Sequence, residues 1–216
     1  MSQCCSFACG VCKILCYTLC CKCCKKEQIV KEEFSLLALG LGGAGKSTLL
    51  STVCGEIEEE IVPTKGFSIK DISLARAKLH VKEVGGSESI RRYWHHYFSG
   101  VEGLIFVVDG STNDDEVALA RSELEKVLSH RDMTDVPLLV LVSKIDSSDS
   151  SSLQKFSEQL DIPKLCASRS FLIDAYSLKD VGHLKMLLEK FVDVMKRPDN
   201  LSGDNEEIDQ EVTGRI

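Results

Sequence analysis

No run of about eighteen apolar residues occurs in this chain, so no transmembrane helix is expected. The N-terminus has an apolar look, yet it lacks a charged start ahead of its apolar part and a small-residue cleavage site. A secretory signal is therefore not expected. Beyond residue 24 only two cysteines remain, Cys54 and Cys166. They are too few for a disulfide framework and fit a reducing cytosol. Positive charge is not in excess. The chain has 26 Lys and Arg against 33 Asp and Glu, a net charge of −7, which argues against a nucleic-acid partner. Internal repeats are missing too. Residues 1–26 contain no acid at all, and Lys13, Lys22, Lys25 and Lys26 give them a charge of +4, so the remainder carries −11.

What is present suits one domain with a full core, plus tails. The length is 216 residues, with 44% hydrophobic and 27% charged. Residues 1–33 form a cysteine-rich, basic head and a short charged connector. Residues 34–197 alternate strand-like and helix-like segments. Residues 198–216 open with Pro198, are rich in Asp and Glu, and read as a disordered acidic tail. Within the body, apolar β-branched runs predict strands at 34–39, 79–84, 104–108 and 138–142, with weaker ones near 67–74 and 170–174. The runs at 104–108 and 138–142 are apolar throughout, as in central strands of a parallel sheet covered on both faces. Three apolar stripes at helical spacing predict helices: Val117, Leu124, Val127 and Leu128; Leu153, Phe156 and Leu160; and Val181, Leu184, Leu188, Phe191 and Met195. Alternating strands and helices imply an α/β fold with a mostly parallel central sheet and helices on both faces. Ligands of such folds sit beyond the carboxyl ends of the strands, where Gly40, Gly85, Asp109 and Ser143 fall.

The most informative stretch is Gly40-Leu41-Gly42-Gly43-Ala44-Gly45-Lys46-Ser47, followed by Thr48. It matches Gly-x-x-x-x-Gly-Lys-Ser/Thr, with an apolar strand before it and a helix-forming run after it, the context of a phosphate-cradling loop. Glycines let backbone N–H groups turn around phosphate oxygens, and the helix N-terminus adds unpaired N–H groups and its positive dipole end. Lys46 can then reach the β- and γ-phosphates, and the Ser47 hydroxyl can ligate Mg²⁺. The plain alternative is an ordinary glycine turn before a structural helix, but here both the pattern and its strand–helix context are satisfied.

Ser143-Lys144-Ile145-Asp146 follows the strand at 138–142. Guanine binders carry Asn-Lys-x-Asp in this slot. The aspartate accepts from guanine N1–H and its exocyclic amine, which adenine cannot match, and the lysine stem covers the base. A buried carboxylate left unpaired is costly, so Asp146 is expected to select guanine. Two shorter motifs lie between, Pro63-Thr64-Lys65-Gly66-Phe67 and Glu83-Val84-Gly85-Gly86. Thr64 can offer a hydroxyl to Mg²⁺, Glu83 can hold a Mg²⁺-bound water, and Gly86 can bring a backbone N–H to the γ-phosphate. Alone, each motif could be a mere turn; their order and spacing favour the functional reading.

On these residues the body resembles an Arf-family small GTPase of the Ras superfamily. The marks are Gly40-Leu41-x-x-Ala44-Gly45-Lys46-Ser47-Thr48, Pro63-Thr64-x-Gly66-Phe67, Val84-Gly85-Gly86 and Ile90-Arg91-x-x-Trp94-x-x-Tyr97-Phe98. Val81-Lys82-Glu83-Val84-Gly85-Gly86 with Ile90-Arg91-Arg92-Tyr93-Trp94 is most similar to the divergent Arf-like subgroup numbered fifteen. The resemblance implies a P-loop small-GTPase fold that binds GTP or GDP with Mg²⁺. It also implies an effector reading the segments near Thr64 and Gly86, an exchange factor and an activating protein.

The departures bear on hydrolysis more than on binding. The family usually reads Trp-Asp-x-Gly-Gly-Gln where this chain reads Lys82-Glu83-Val84-Gly85-Gly86-Ser87. Ser87 thus stands in place of the glutamine that orients the attacking water. Glu83 replaces Asp with one extra methylene. Ser143 replaces Asn and is expected to anchor its loop less firmly. Ser177, after Tyr176, stands where the last base-contacting loop usually carries Cys-Ala. Position 2 is Ser, which excludes the N-myristoylation expected of Arf proteins.

The head holds Cys4, Cys5, Cys9, Cys12, Cys16, Cys20, Cys21, Cys23 and Cys24. Six of them recur at intervals of three and four, which makes one stripe on a helix. Phe7, Val11, Ile14, Leu15, Tyr17 and Leu19 add apolar surface, and the lysines add charge. S-palmitoylation beside a basic cluster is the leading reading, in place of the missing myristoyl group. Zinc on Cys9-x-x-Cys12 and Cys20-x-x-Cys23 (or Cys21-x-x-Cys24) fits poorly, because cysteines are in surplus and the gap is short. A tail of reactive thiols is the plain alternative. The expected protein is a guanine-nucleotide switch anchored on the cytoplasmic face of a membrane and slow at hydrolysis. Its alternative is a scaffold that holds GTP or GDP without hydrolysing it.

Overall fold

The computed structural model describes residues 31–56, 64, 66–144 and 150–196. Six strands form one sheet: β1 (Glu32–Leu39), β2 (Phe67–Ser73), β3 (Ala77–Val84), β4 (Gly103–Asp109), β5 (Leu138–Ser143) and β6 (Phe171–Ala175). All six expected strands form, with ends displaced by no more than two residues. The order is β2-β3-β1-β4-β5-β6. β2 runs antiparallel to β3, and the other neighbours are parallel. β4 and β5 are buried along nearly their whole length, as their unbroken apolar runs require. β2 and β6 are the sheet's edges and keep polar residues within them, which is why their sequence signal is weaker.

The helices are α1 (Lys46–Cys54), α2 (Glu88–Arg91), α3 (Asp114–Leu128), α4 (Ser150–Gln159), α5 (Ile162–Leu165) and α6 (Val181–Lys196). Alternation along the strands sends side chains to two apolar layers. Leu36, Ala38, Ile105, Val107, Leu139 and Leu141 pack with Leu49 and Leu50 of α1 and with Leu184, Leu188 and Phe191 of α6. Leu37, Leu39, Phe106, Val108, Val140 and Val142 pack with Trp94, with Val117, Leu124 and Val127 of α3, and with Phe156 of α4. The three expected helical stripes are therefore the sheet-facing sides of α3, α4 and α6. With both faces covered, the open chemistry lies at the strand ends.

Candidate nucleotide-binding site

The carboxyl ends of β1, β3, β4 and β5 deliver the site. β1 leads into the loop 40–45, which leads into α1. Gly40 takes φ +146°, and a Cβ there would lie 2.2 Å from the Val107 carbonyl oxygen of β4. Only glycine lets the loop cross the sheet this closely. Gly45 is the N-cap of α1 in the left-handed conformation, with no side-chain cap and no acid in the first turn. α3 differs sharply: Asn113 accepts from Glu116 N, and Asp114, Asp115 and Glu116 fill its first turn. α3 thus supplies its own negative charge, whereas α1 leaves its positive end for an anion from outside.

Lys46 opens α1 and folds over the loop. Its Nζ donates to the carbonyls of Gly40 at 2.9 Å and Leu41 at 2.8 Å. An ammonium has three donors, so one remains for a phosphate oxygen. The side chain is 6% exposed. Burial pushes its pKa down to about 8, against the opposing pull of Glu83. β1 pairs in parallel with β3, setting Ala38 opposite Glu83 and bringing the carboxylate beneath the loop. Ser47 Oγ donates to Glu83 Oε1 at 2.5 Å, and Thr64 Oγ1 lies 3.1 Å from Ser47 Oγ and 3.4 Å from Glu83 Oε1. The extra methylene of Glu83 carries its carboxylate into direct contact with Ser47. Two hydroxyls and a buried carboxylate clustered beside a phosphate loop form a hard-oxygen donor set, which fits Mg²⁺. Among the described residues no group of three His, Cys, Asp or Glu competes as a metal site.

Above this cluster opens a cavity of about 720 Å³, within the range that holds a small ligand. Of the residues expected at the nucleotide, Gly42, Gly43, Gly45, Lys46, Ser47, Thr48, Thr64, Gly86 and Lys144 line it, with Glu83 and Ser87. Gly40, Ala44, Ser143 and Ser177 do not. Gly40 and Ala44 are buried within the loop. Ser143 is buried, with Oγ 3.0 Å from the Ala44 carbonyl and 3.2 Å from that of Val108, so its one hydroxyl proton has an acceptor on the phosphate loop and another on β4. Ser177 accepts from Lys179 N at 3.3 Å instead. Lys144 adopts φ 58° and pairs with Asp109. Partial burial works to raise the Asp109 carboxyl, but hydrogen bonds from Lys144 and Ser111 outweigh it and hold the group below its usual value. Asp146 and the nine cysteines of the head lie outside the described residues.

Three further residues position these loops. Arg91 donates to the Gly86 carbonyl at 3.1 Å, and Trp94 Nε1 donates to that of Gly85 at 2.9 Å. Together they set the loop so close to the phosphate loop that a Cβ on Gly86 would lie 2.2 Å from the Gly40 oxygen. Tyr176, 3% exposed, backs Gly45, where an added Cβ would lie 3.2 Å from its hydroxyl. Burial raises its pKa well above the ordinary phenol value, so it stays neutral. Its apolar ring at the end of β6 is a core signal, and nothing local marks it as part of this site.

The low pKa of Lys46 has a measurable consequence. A base depressed on folding binds fewer protons folded than unfolded between about pH 8 and 10.5, so stability without nucleotide rises across that window. Nucleotide binding has the opposite sign, because only the ammonium pairs with phosphate. GDP affinity is expected to fall about fivefold from pH 8 to 9, as the protonated fraction of Lys46 drops from about a half to about a tenth, with proton uptake near pH 8 seen by calorimetry in buffers of different ionisation heat. A flat pH profile would show that Lys46 is already an ordinary exposed-type amine.

Comparison with known proteins agrees with this geometry. The ADP-ribosylation factor family model matches residues 20–195. ADP-ribosylation factor-like protein 15 of Mus musculus is 35% identical over 178 residues, covering 82% of this chain and 87% of that protein. The Homo sapiens protein of the same name is 34% identical over the same shares. The Arl6 BBS3 small GTPase from Trypanosoma brucei, solved with the nucleotide analogue GppNp, superposes with a TM-score of 0.64 at 25% identity, covering 75% of this chain and 99% of that one. The sheet order, the phosphate loop with its lysine and hydroxyls, and these matches together place the chain in the ADP-ribosylation factor family of GTP-binding proteins.

Proposed function

We propose that the protein is a membrane-anchored, GTP-dependent switch that hydrolyses GTP slowly. The observation that carries this is the meeting of Lys46, Ser47, Thr64 and Glu83 at one cavity with Gly86 packed against the phosphate loop. Ser47, Thr64 and Glu83 would hold Mg²⁺, which neutralises phosphate charge when bound. Gly85 N donates to the Gly66 carbonyl at 2.9 Å, so the segments of Thr64 and Gly86 are joined directly. A γ-phosphate that engages both would order both, and an effector would read the result. Exchange and activating proteins would set the balance of GTP and GDP.

Slow hydrolysis rests on Ser87. It is exposed at the start of α2, and its hydroxyl lies 3.1 Å from Ser89 Oγ. It is too short to orient a water as glutamine does. Single-turnover assays are expected to show Ser87→Gln hydrolysing GTP roughly tenfold faster or more. No gain, with or without cell extract, favours the second reading, a scaffold that holds nucleotide without turning it over.

Anchoring rests on nine cysteines and four lysines within residues 1–26. Each lysine near an anionic surface contributes about 1 kcal/mol, and two or more acyl chains make attachment persistent. Replacing the nine cysteines with serine is expected to shift the protein from the membrane fraction of cells to the cytosol, with GTP binding unchanged. Hydroxylamine, which cleaves thioesters, should release the parent protein too. A serine variant that stays on membranes would mean that a bound partner, not lipid, is the anchor.

A further inference from the structure

One face of the β2–β3 pair is open and carries apolar side chains. Phe67 and Ile69 are 54% and 60% exposed. The antiparallel register sets Ile69 opposite Lys82 and Phe67 opposite Val84, so these side chains share a face. Phe67 packs against Tyr97 with ring centroids 5.6 Å apart, and Lys82 Nζ sits 5.9 Å from the Tyr97 ring centre. Further along the strands the charges are matched: Lys78 pairs with Asp71 at 3.1 Å, and His80 lies 2.7 Å from Asp71. Lys82 is half-buried and pairs with no acid among the described residues.

We propose that this face docks an apolar partner segment bearing a carboxylate, and that Lys82 selects for that acid. The proposal rests on the switch reading and names the chemistry of the partner that the switch engages. Exposed aromatic side chains in a cluster are the usual anchors of a docking surface. A half-buried cation among them loses more water when covered unless an anion meets it, and it repels a basic segment. The family's usual tryptophan at this position would make the patch apolar throughout and indifferent to charge. Both arms of the patch are tied to the nucleotide side. Gly66, next to Phe67, accepts from Gly85 N, and Trp94, at the start of the turn that ends in Tyr97, donates to the Gly85 carbonyl.

The test is to pan a display library of random 12-residue peptides on the full chain loaded with a non-hydrolysable GTP analogue. Wild type is expected to enrich peptides that combine apolar residues with Asp or Glu. Lys82→Glu should enrich Lys and Arg instead, and Lys82→Gln should bind the acidic peptides about tenfold more weakly by fluorescence anisotropy. Phe67→Ala should lose both sets. The same charge preference in wild type and Lys82→Glu overturns the role of Lys82. Peptides that survive Phe67→Ala, or no enrichment at all, overturn the docking face. Equal binding to GDP-loaded protein leaves selection by Lys82 standing and fails the switch reading.

Discussion

Lys46→Ala is expected to lower GTP and GDP affinity at least tenfold. Losing a charge-assisted contact costs about 1.5–3 kcal/mol, and Lys46 is the ammonium held over the phosphate loop by two carbonyls. Ser47→Asn should match it by a separate route. That change removes the hydroxyl that links Glu83 to Thr64 and leaves a nearly fully buried carboxylate without its closest donor. The unfolding midpoint without nucleotide should respond differently in the two variants. Lys46→Ala gives up two hydrogen bonds but also removes a charge that burial disfavours, so its stability changes little. Ser47→Asn leaves a buried charge less well satisfied and destabilises. Equilibrium titration with a fluorescent guanine nucleotide reads the affinities. Unchanged binding in both variants would show that the loop does not hold the phosphates.

Gly40→Ala should be the most damaging single substitution in the phosphate loop. The residue needs a φ that side chains rarely adopt, and its Cβ would strike the Val107 carbonyl of a central, fully packed strand. Strain and overpacking together amount to roughly 3–5 kcal/mol. For a domain of this size that lowers the thermal midpoint by about 10 °C. Gly43→Ala is the matched control. Gly43 also has positive φ, at 80°, but nothing lies within 4 Å of its added Cβ. Only the conformational cost remains, about 1–2 kcal/mol. Equal midpoints for the two variants would mean that the loop does not cross β4 as closely as the structure shows.

How much of this was readable beforehand follows the distance over which each feature is determined. The strands at β4 and β5 were plain, because a central parallel strand must be apolar on both faces and so leaves an unbroken run. The helices were plain where one apolar face repeats, as in α3 and α6. The phosphate loop was readable residue by residue, since its backbone demands glycines and its chemistry demands Lys46 and Ser47 within one continuous stretch. Ser143 was the exception. Its contacts are long-range: parallel pairing of β4 and β5 sets Ser143 opposite Asp109, at the carboxyl end where the phosphate loop lies, so its one hydroxyl proton meets the carbonyls of Ala44 and Val108.

The sequence by itself determined the class of fold, the strand ends at which chemistry gathers, and the residue types that meet phosphate there. Each of these follows from local backbone demands or from a repeat of two or 3.6 residues. Only the tertiary structure decided which of those residues touch. Register between β1 and β3 brings Glu83 to Ser47 across thirty-six positions of chain. Register between β2 and β3 places Lys82 among Phe67, Ile69 and Tyr97. Folding of the chain after β6 puts Tyr176 behind Gly45. Such contacts depend on how strands align, and alignment is settled by burying whole faces of the sheet at once.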